Sequence, residues 1–174
     1  MLIVMAGLPG TGKSTLAARL AAELGAVVLN KDAVRAALFP PPVLDYSLAQ
    51  DDLTMAAIYR AAAHILRTRP DIAVILDGRT FLSGYQVRDL LALADSLGER
   101  PNIIECVCDD ETARRRLEAD QARGDHPAKN RTFALYQARK AVAEPIIVPH
   151  LAVDTGAVPL AECVARCMAY LGRG

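Results

Sequence analysis

The chain has 174 residues, enough for one domain with a substantial core, and its make-up of 52% hydrophobic and 23% charged residues is globular rather than disordered. Twenty basic residues balance twenty acidic ones, so the chain has no overall positive charge with which to bind polyanions, and only a local basic patch fits that balance. The opening run Met1 to Ala6 has no basic segment before it and is too short for a signal-peptide core, and charges interrupt every long apolar stretch, so the expectation is a cytosolic protein with no membrane span.

Leu2 to Ala6 is apolar without helical period and ends at Gly7, the pattern of a fully buried strand. Ser14 to Leu24 carries Leu16, Leu20 and Leu24 at helical spacing, and Gly25 closes it. Val27 to Leu29 reads as a second strand. Asp32 is placed to cap a short helix through Leu38, which Pro40-Pro41-Pro42 stops. A long helix follows over about 48–67. Ile72 to Leu76 is a third buried strand, ending at Asp77, and a helix is expected over about 86–97 after Ser83-Gly84.

Ile103 to Cys108 gives a fourth strand. Helices over 111–123 and 131–143 flank the breaker Gly124-Asp125-His126-Pro127 and form one hairpin; Leu151 to Val153 is the fifth strand and Leu160 to Leu171 the last helix. Strands alternating with helices predict a three-layer α/β/α sandwich around a five-stranded parallel sheet, spanning residues 1–174 as a single domain. The cysteines fall as Cys106 with Cys108 and Cys163 with Cys167, each pair on one face of its element. That spacing permits a metal site, but buried thiols in a reducing compartment explain it better.

Gly7-Leu8-Pro9-Gly10-Thr11-Gly12-Lys13-Ser14 fills the pattern GxxxxGK[ST] between a buried strand and a helix. Glycines at those places let backbone N–H groups converge on phosphate oxygens at a helix N-terminus. Lys13 then reaches the β and γ phosphates and the Ser14 hydroxyl ligates Mg²⁺. Asp77, at the end of an apolar strand on the same sheet edge, suits a second Mg²⁺ position, with a turn or cap role as the alternative.

These features resemble the small P-loop kinases, the group that includes adenylylsulfate kinases, polynucleotide 5′-kinases and zeta-toxin-like sugar kinases. The resemblance is carried by Gly7 to Thr15, Leu29-Asn30-Lys31-Asp32-Ala33-Val34-Arg35, Ile75-Leu76-Asp77, the Arg-rich stretch Arg114 to Arg131, and Val153-Asp154-Thr155. It implies ATP and Mg²⁺ as cofactors and a base pocket over residues 155–158, including Thr155 and Gly156. Asp32 would lie against the acceptor hydroxyl as general base, with Arg35 near phosphate or substrate. A helix cap for Asp32 and a solvated Arg35 are the alternatives.

In such a fold the acceptor lies beside the turn after the third strand, where Arg79 suits an anionic group and Phe81 and Tyr85 suit either ring stacking or core packing. The sequence lacks the Asp-Gly-Asp-Asn and Asp-Thr-Pro stretches of adenylylsulfate kinases, so their substrate does not carry over. From Glu111 to Lys140 eight basic residues face four acidic. The resemblance makes this segment, about 111–143, a mobile lid that brings Arg123 and Arg131 to the γ phosphate, while Arg139 and Lys140 read as solvated. His64 and His126 receive no role.

The expected activity is transfer of the γ phosphate of ATP to a hydroxyl of a small molecule. A polynucleotide 5′-hydroxyl kinase uses the same residues but is weakened by zero net charge and eight aromatic residues. A nucleotide-dependent switch or ATPase without an acceptor is the reading from another class.

Overall fold

The structure, a computed structural model, describes residues 1–124, 128 and 130–172. Its strands are β1 (Leu2–Ala6), β2 (Val27–Asn30), β3 (Val74–Asp77), β4 (Asn102–Val107) and β5 (Leu151–Asp154). They pair in parallel throughout, in the order β2-β3-β1-β4-β5. The described helices are α1 (Lys13–Leu24), α2 (Lys31–Leu38), α3 (Leu48–Thr68), α4 (Gly84–Ser96), α5 (Asp110–Arg123), α6 (Phe133–Ala141) and α7 (Leu160–Tyr170), with a 3₁₀ turn at Pro41–Val43. None of them is long and apolar enough to cross a membrane.

β1 shows why a continuous apolar run makes a central strand: every residue from Leu2 to Ala6 is fully buried. Its side chains alternate between two cores. Leu2, Val4 and Ala6 pack with Met55, Ile58 and Ala62 of α3 and Leu90 of α4. Ile3 and Met5 face Leu16 and Leu20 of α1 and Val164 of α7. Three buried cysteines, Cys106, Cys163 and Cys167, belong to this second core. No group of three or more metal-ligating side chains occurs among the described residues, and burial pushes the Cys106 and Cys167 thiols up to about 12, which keeps them protonated. Cys108 lies just beyond β4 and only half buried, so the expected shared strand face with Cys106 does not form.

β1 stands between β3 and β4, so the chain leaves it for opposite halves of the sheet and a crevice opens at the carboxyl edge. Two boundaries differ from the sequence pattern in ways that matter at this edge. β3 starts at Val74 and includes Asp77, which pairs in register with Asn30 of β2. The N-cap of α2 is Asn30 and not Asp32: the Asn30 side chain accepts a hydrogen bond from Ala33 N at 3.0 Å, and Asp32 sits inside the first turn. Asp32 is thereby released from capping.

Candidate active site

The turn from β1 to α1 depends on glycine at two close approaches. Gly7 has φ +125°, donates from its N–H to Thr80 O at 2.9 Å, and a Cβ there would overlap the Cys106 carbonyl oxygen. Gly10 lies against α5, where a Cβ would meet Ala113 O and the Leu117 side chain at 3.0 Å. α1 then begins from Gly12 with no side-chain cap. Its first N–H groups, around Lys13, Ser14 and Thr15, are left to an outside acceptor, which at the positive end of a twelve-residue helix is an anion site.

Lys13 folds back over this turn and donates to Gly7 O at 2.8 Å and Leu8 O at 2.7 Å. Burial drops its ammonium to about 8, against the opposing pull of the Asp77 charge. The same Asp77 is 3% exposed. Its Oδ2 accepts from Asn30 Nδ2 at 2.7 Å, whereas its Oδ1 is buried without a hydrogen-bond partner. A buried carboxylate oxygen left unmatched is a place a cation would satisfy, and the Asp77 carboxylate and the Ser14 hydroxyl are both hard oxygen donors of the kind Mg²⁺ takes.

Thr155, after β5, sits against Gly12 and donates to Thr11 O at 2.8 Å. Arg116 of α5 clamps the same corner, giving hydrogen bonds to Thr155 Oγ1 at 2.9 Å, Thr155 O at 2.7 Å and Gly10 O at 3.4 Å. Gly156 lies one residue on, its N–H bound by the Asp154 carboxylate at 2.9 Å. Beyond it Val158, Pro159 and Leu160 form an apolar stretch of the cavity wall.

The opposite wall is charged. Asp32 accepts from Arg35 Nη2 at 3.0 Å and lies 3.8 Å from Lys31 Nζ. Asp51 of α3 takes a second contact from Arg35 at 2.7 Å and one from Lys31 at 3.2 Å. Arg35 also stacks over Tyr46 at 5.2 Å. Gly78, at φ +95°, brings the β3–α4 turn against the start of α2, where a Cβ would stand 3.0 Å from that of Lys31. Arg79 follows, 3% exposed, donating to Asp52 at 2.7 Å and to Tyr85 Oη at 3.0 Å. Phe81, the other ring expected near an acceptor, is 1% exposed and packs in the core of the α3 face.

α5 and α6 close the third side. Asp109 caps α5 through Thr112, and Ala113, Leu117 and Tyr136 form a small core that includes Leu8 of the phosphate turn. Arg123 and Arg131 both reach Asp120, at 2.5 Å and 3.4 Å, and both line the cavity. Arg139 also lines it, whereas Lys140 pairs with Asp110. The expected hinge residues Asp125, His126 and Pro127 lie outside the described residues, as does Lys129.

One cavity of about 680 Å³ thus joins the phosphate turn, Asp32 and Arg35, Arg79, the arginines Arg123, Arg131 and Arg139, and Thr155. Gly7, Leu8, Thr11, Asp77, Phe81 and Tyr85 are not part of its lining. The sequence reading missed Lys31, Asp51 and Arg116. A signal for Arg116 was present: with Ala113 and Leu117 buried in α5, residues 116, 120 and 123 fall on one helical face, and all three line the cavity.

Residues 2–145 match the protein family described as AAA domain. No curated protein matches the chain at a significant level. Among solved structures the chain is similar to a candidate kinase from Chloroflexus aurantiacus, with 24% identity, a TM-score of 0.77 and 97% of each chain covered. A gluconokinase from Sinorhizobium meliloti has 22% identity and a TM-score of 0.70, over 99% of this chain and 91% of that one. The APS kinase of Mycobacterium tuberculosis, in complex with AMPPNP and APS, has 19% identity and a TM-score of 0.68, over 98% and 97%. These likenesses establish the fold as that of the small P-loop kinases.

Proposed function

The chain belongs to this AAA domain family, and from that premise we propose that it transfers the γ phosphate of ATP to a hydroxyl of a small-molecule acceptor, with Asp32 as general base. The observation that carries this reading is the single cavity: a carboxylate unneeded as a helix cap shares it with a phosphate-binding turn and with arginines from a third direction. The names of similar folds, gluconokinase and APS kinase, agree with an acceptor of low molecular mass.

In this reading the N–H groups at the start of α1 and the Lys13 ammonium hold the β and γ phosphates, and Thr155 to Val158 form the wall for the base. Ser14 and Asp77 would hold Mg²⁺, which would supply positive charge to neutralise the phosphates. Arg35 fixes the orientation of Asp32 by holding its Oδ1 at 3.0 Å, and the Asp32 carboxylate takes the proton of the acceptor hydroxyl as the oxygen attacks. Arg123 and Arg131 leave Asp120 for the transferring phosphoryl when α5 and α6 close, so their charge acts where water is excluded.

The test is release of ADP from MgATP by the purified protein against a panel of sugars, polyols, nucleosides, adenylylsulfate and 5′-hydroxyl oligonucleotides. Acceptor-dependent release by a small molecule supports the proposal. Release only with oligonucleotides would assign a polynucleotide kinase, and hydrolysis indifferent to every acceptor would assign an ATPase or switch.

A further inference from the structure

The acceptor wall is balanced in charge but not in hydrogen bonding: Lys31, Arg35 and Arg79 face Asp32, Asp51 and Asp52. Among the described residues eight cationic side chains line the cavity against three carboxylates, in a chain whose formal charge is zero. Counting Asp52 and Asp77, which meet Arg79 and Lys13 from outside the lining, the surplus is three, and it falls on Lys13 and the α5–α6 side rather than on the acceptor wall. Magnesium-bound ATP brings about two negative charges for that surplus to meet, so what singles out the acceptor wall is its unmatched donors.

Two arginines of that wall are incompletely satisfied. Arg35 and Arg79 are 4% and 3% exposed, and the Nε donor of each is buried with no hydrogen-bond partner. Guanidinium groups recognise oxyanions through paired donors, and these two engage their partners through Nη2, Arg35 with Asp32 and Asp51 and Arg79 with Asp52 and Tyr85, which leaves the Nε side of each fork unmatched. The partners are unequal. Asp51 is 14% exposed and bridges Lys31 and Arg35, whereas Asp52 is 50% exposed and meets Arg79 by one oxygen at 2.7 Å. A carboxylate half in water gives up little when it turns outward.

We propose that the acceptor carries an oxyanion as well as its hydroxyl, and that this phosphate, sulfate or carboxylate takes over from Asp52 as the partner of Arg79, beside Lys31 and Arg35. Asp52 is then an internal competitor that neutralises Arg79 until the acceptor arrives. This rests on the phosphotransferase reading for the hydroxyl, but the anion site can be measured without turnover.

The probe is inorganic sulfate, titrated calorimetrically into protein already saturated with magnesium and AMPPNP, so that the phosphate turn is filled. The expected result is one further sulfate site, tightened about threefold to tenfold by Asp52→Asn, which removes the competing charge, and weakened at least tenfold by Arg79→Ala. Arg79→Lys, which keeps the charge and loses the fork, should fall between. Because Asp52 is half exposed, its variant stays folded even where Arg79→Ala does not. Absence of the site, or a sulfate affinity unchanged in Asp52→Asn, would overturn the proposal.

Turnover with matched acceptors, glucose against gluconate or glucose 6-phosphate and adenosine against AMP, then separates the two readings. The proposal expects the anionic member of a used pair to be preferred at least tenfold in kcat/KM. Equal use of the neutral member overturns the anion site and leaves phosphotransfer standing. Sulfate binding as expected, with no acceptor phosphorylated, leaves the anion site standing and sinks phosphotransfer. The kind of oxyanion preferred tells phosphate from sulfate and carboxylate.

Discussion

Burying Lys13 under the phosphate turn makes the fold less stable at neutral pH than it would be with a neutral side chain there. Its ammonium is lowered from 10.5 to about 8 in the folded chain, so between those values the unfolded chain binds more protons and stability contributed by this group rises with pH. At pH 7 the protonated group costs roughly 3 kcal/mol relative to high pH, and most of that cost disappears by about pH 10.5. Other groups titrate in the same window: burial also lowers Lys31, while it raises Tyr59 and Cys106. The comparison with Lys13→Met isolates the one residue.

That variant loses the hydrogen bonds to Gly7 O and Leu8 O, a deficit independent of pH, and escapes the charge penalty, which is not. Urea unfolding of both proteins at pH 7 and pH 10 should therefore show wild type gaining roughly 2 to 3 kcal/mol on the variant as pH rises. Phosphate restores the ammonium by its opposite charge. ATP binding should take up a proton above pH 8, and affinity for ATP should fall by about tenfold per pH unit there in wild type and not in Lys13→Met. A stability difference and an ATP affinity that both ignore pH would refute a buried, lowered Lys13.

Gly7→Ala forces a side chain into positive φ and onto the Cys106 carbonyl; a loss of about 3 kcal/mol or more in urea unfolding is expected, since the atom it overlaps is backbone of a central strand. Asn30→Ala removes both the α2 cap and the Asp77 partner and should cost about 1 to 3 kcal/mol by the same measurement. Arg116→Ala should raise the KM for ATP more than it lowers kcat, because Arg116 holds the Thr155 corner and not the reacting groups. Arg123→Ala or Arg131→Ala should reduce turnover several hundredfold with ATP binding largely kept, whereas Arg114→Ala, whose guanidinium lies over Phe133 at 4.5 Å, should change steady-state kinetics little.

What the sequence made legible was local. The buried run Leu2 to Ala6 and the spacing of Gly7, Gly12, Lys13 and Ser14 announce strand, turn and anion-binding helix within fourteen residues. The Asn30 cap was hidden because Asn30 and Asp32 are both good capping residues, and the choice between them is made by β2 pairing with β3, which ties Asn30 to Asp77 across 47 residues. Asp51 and Asp52 look like the wet face of a long helix. Their partners come from α2 and from the turn after β3, so only the packing of α3 gives them a role. Phe81 was ambiguous for the same reason, a ring in a loop whose burial depends on the core behind it.

The central claim is that Asp32 takes the acceptor proton in the cavity it shares with the phosphate turn. The direct measurement is single-turnover transfer from γ-labelled ATP to an acceptor found by the panel, in wild type and Asp32→Asn, with ATP affinity and urea stability measured on the same preparations. The account predicts unchanged ATP affinity, stability within about 1 kcal/mol, and a transfer rate lower by about 10² to 10⁴. A rate within tenfold of wild type would contradict it.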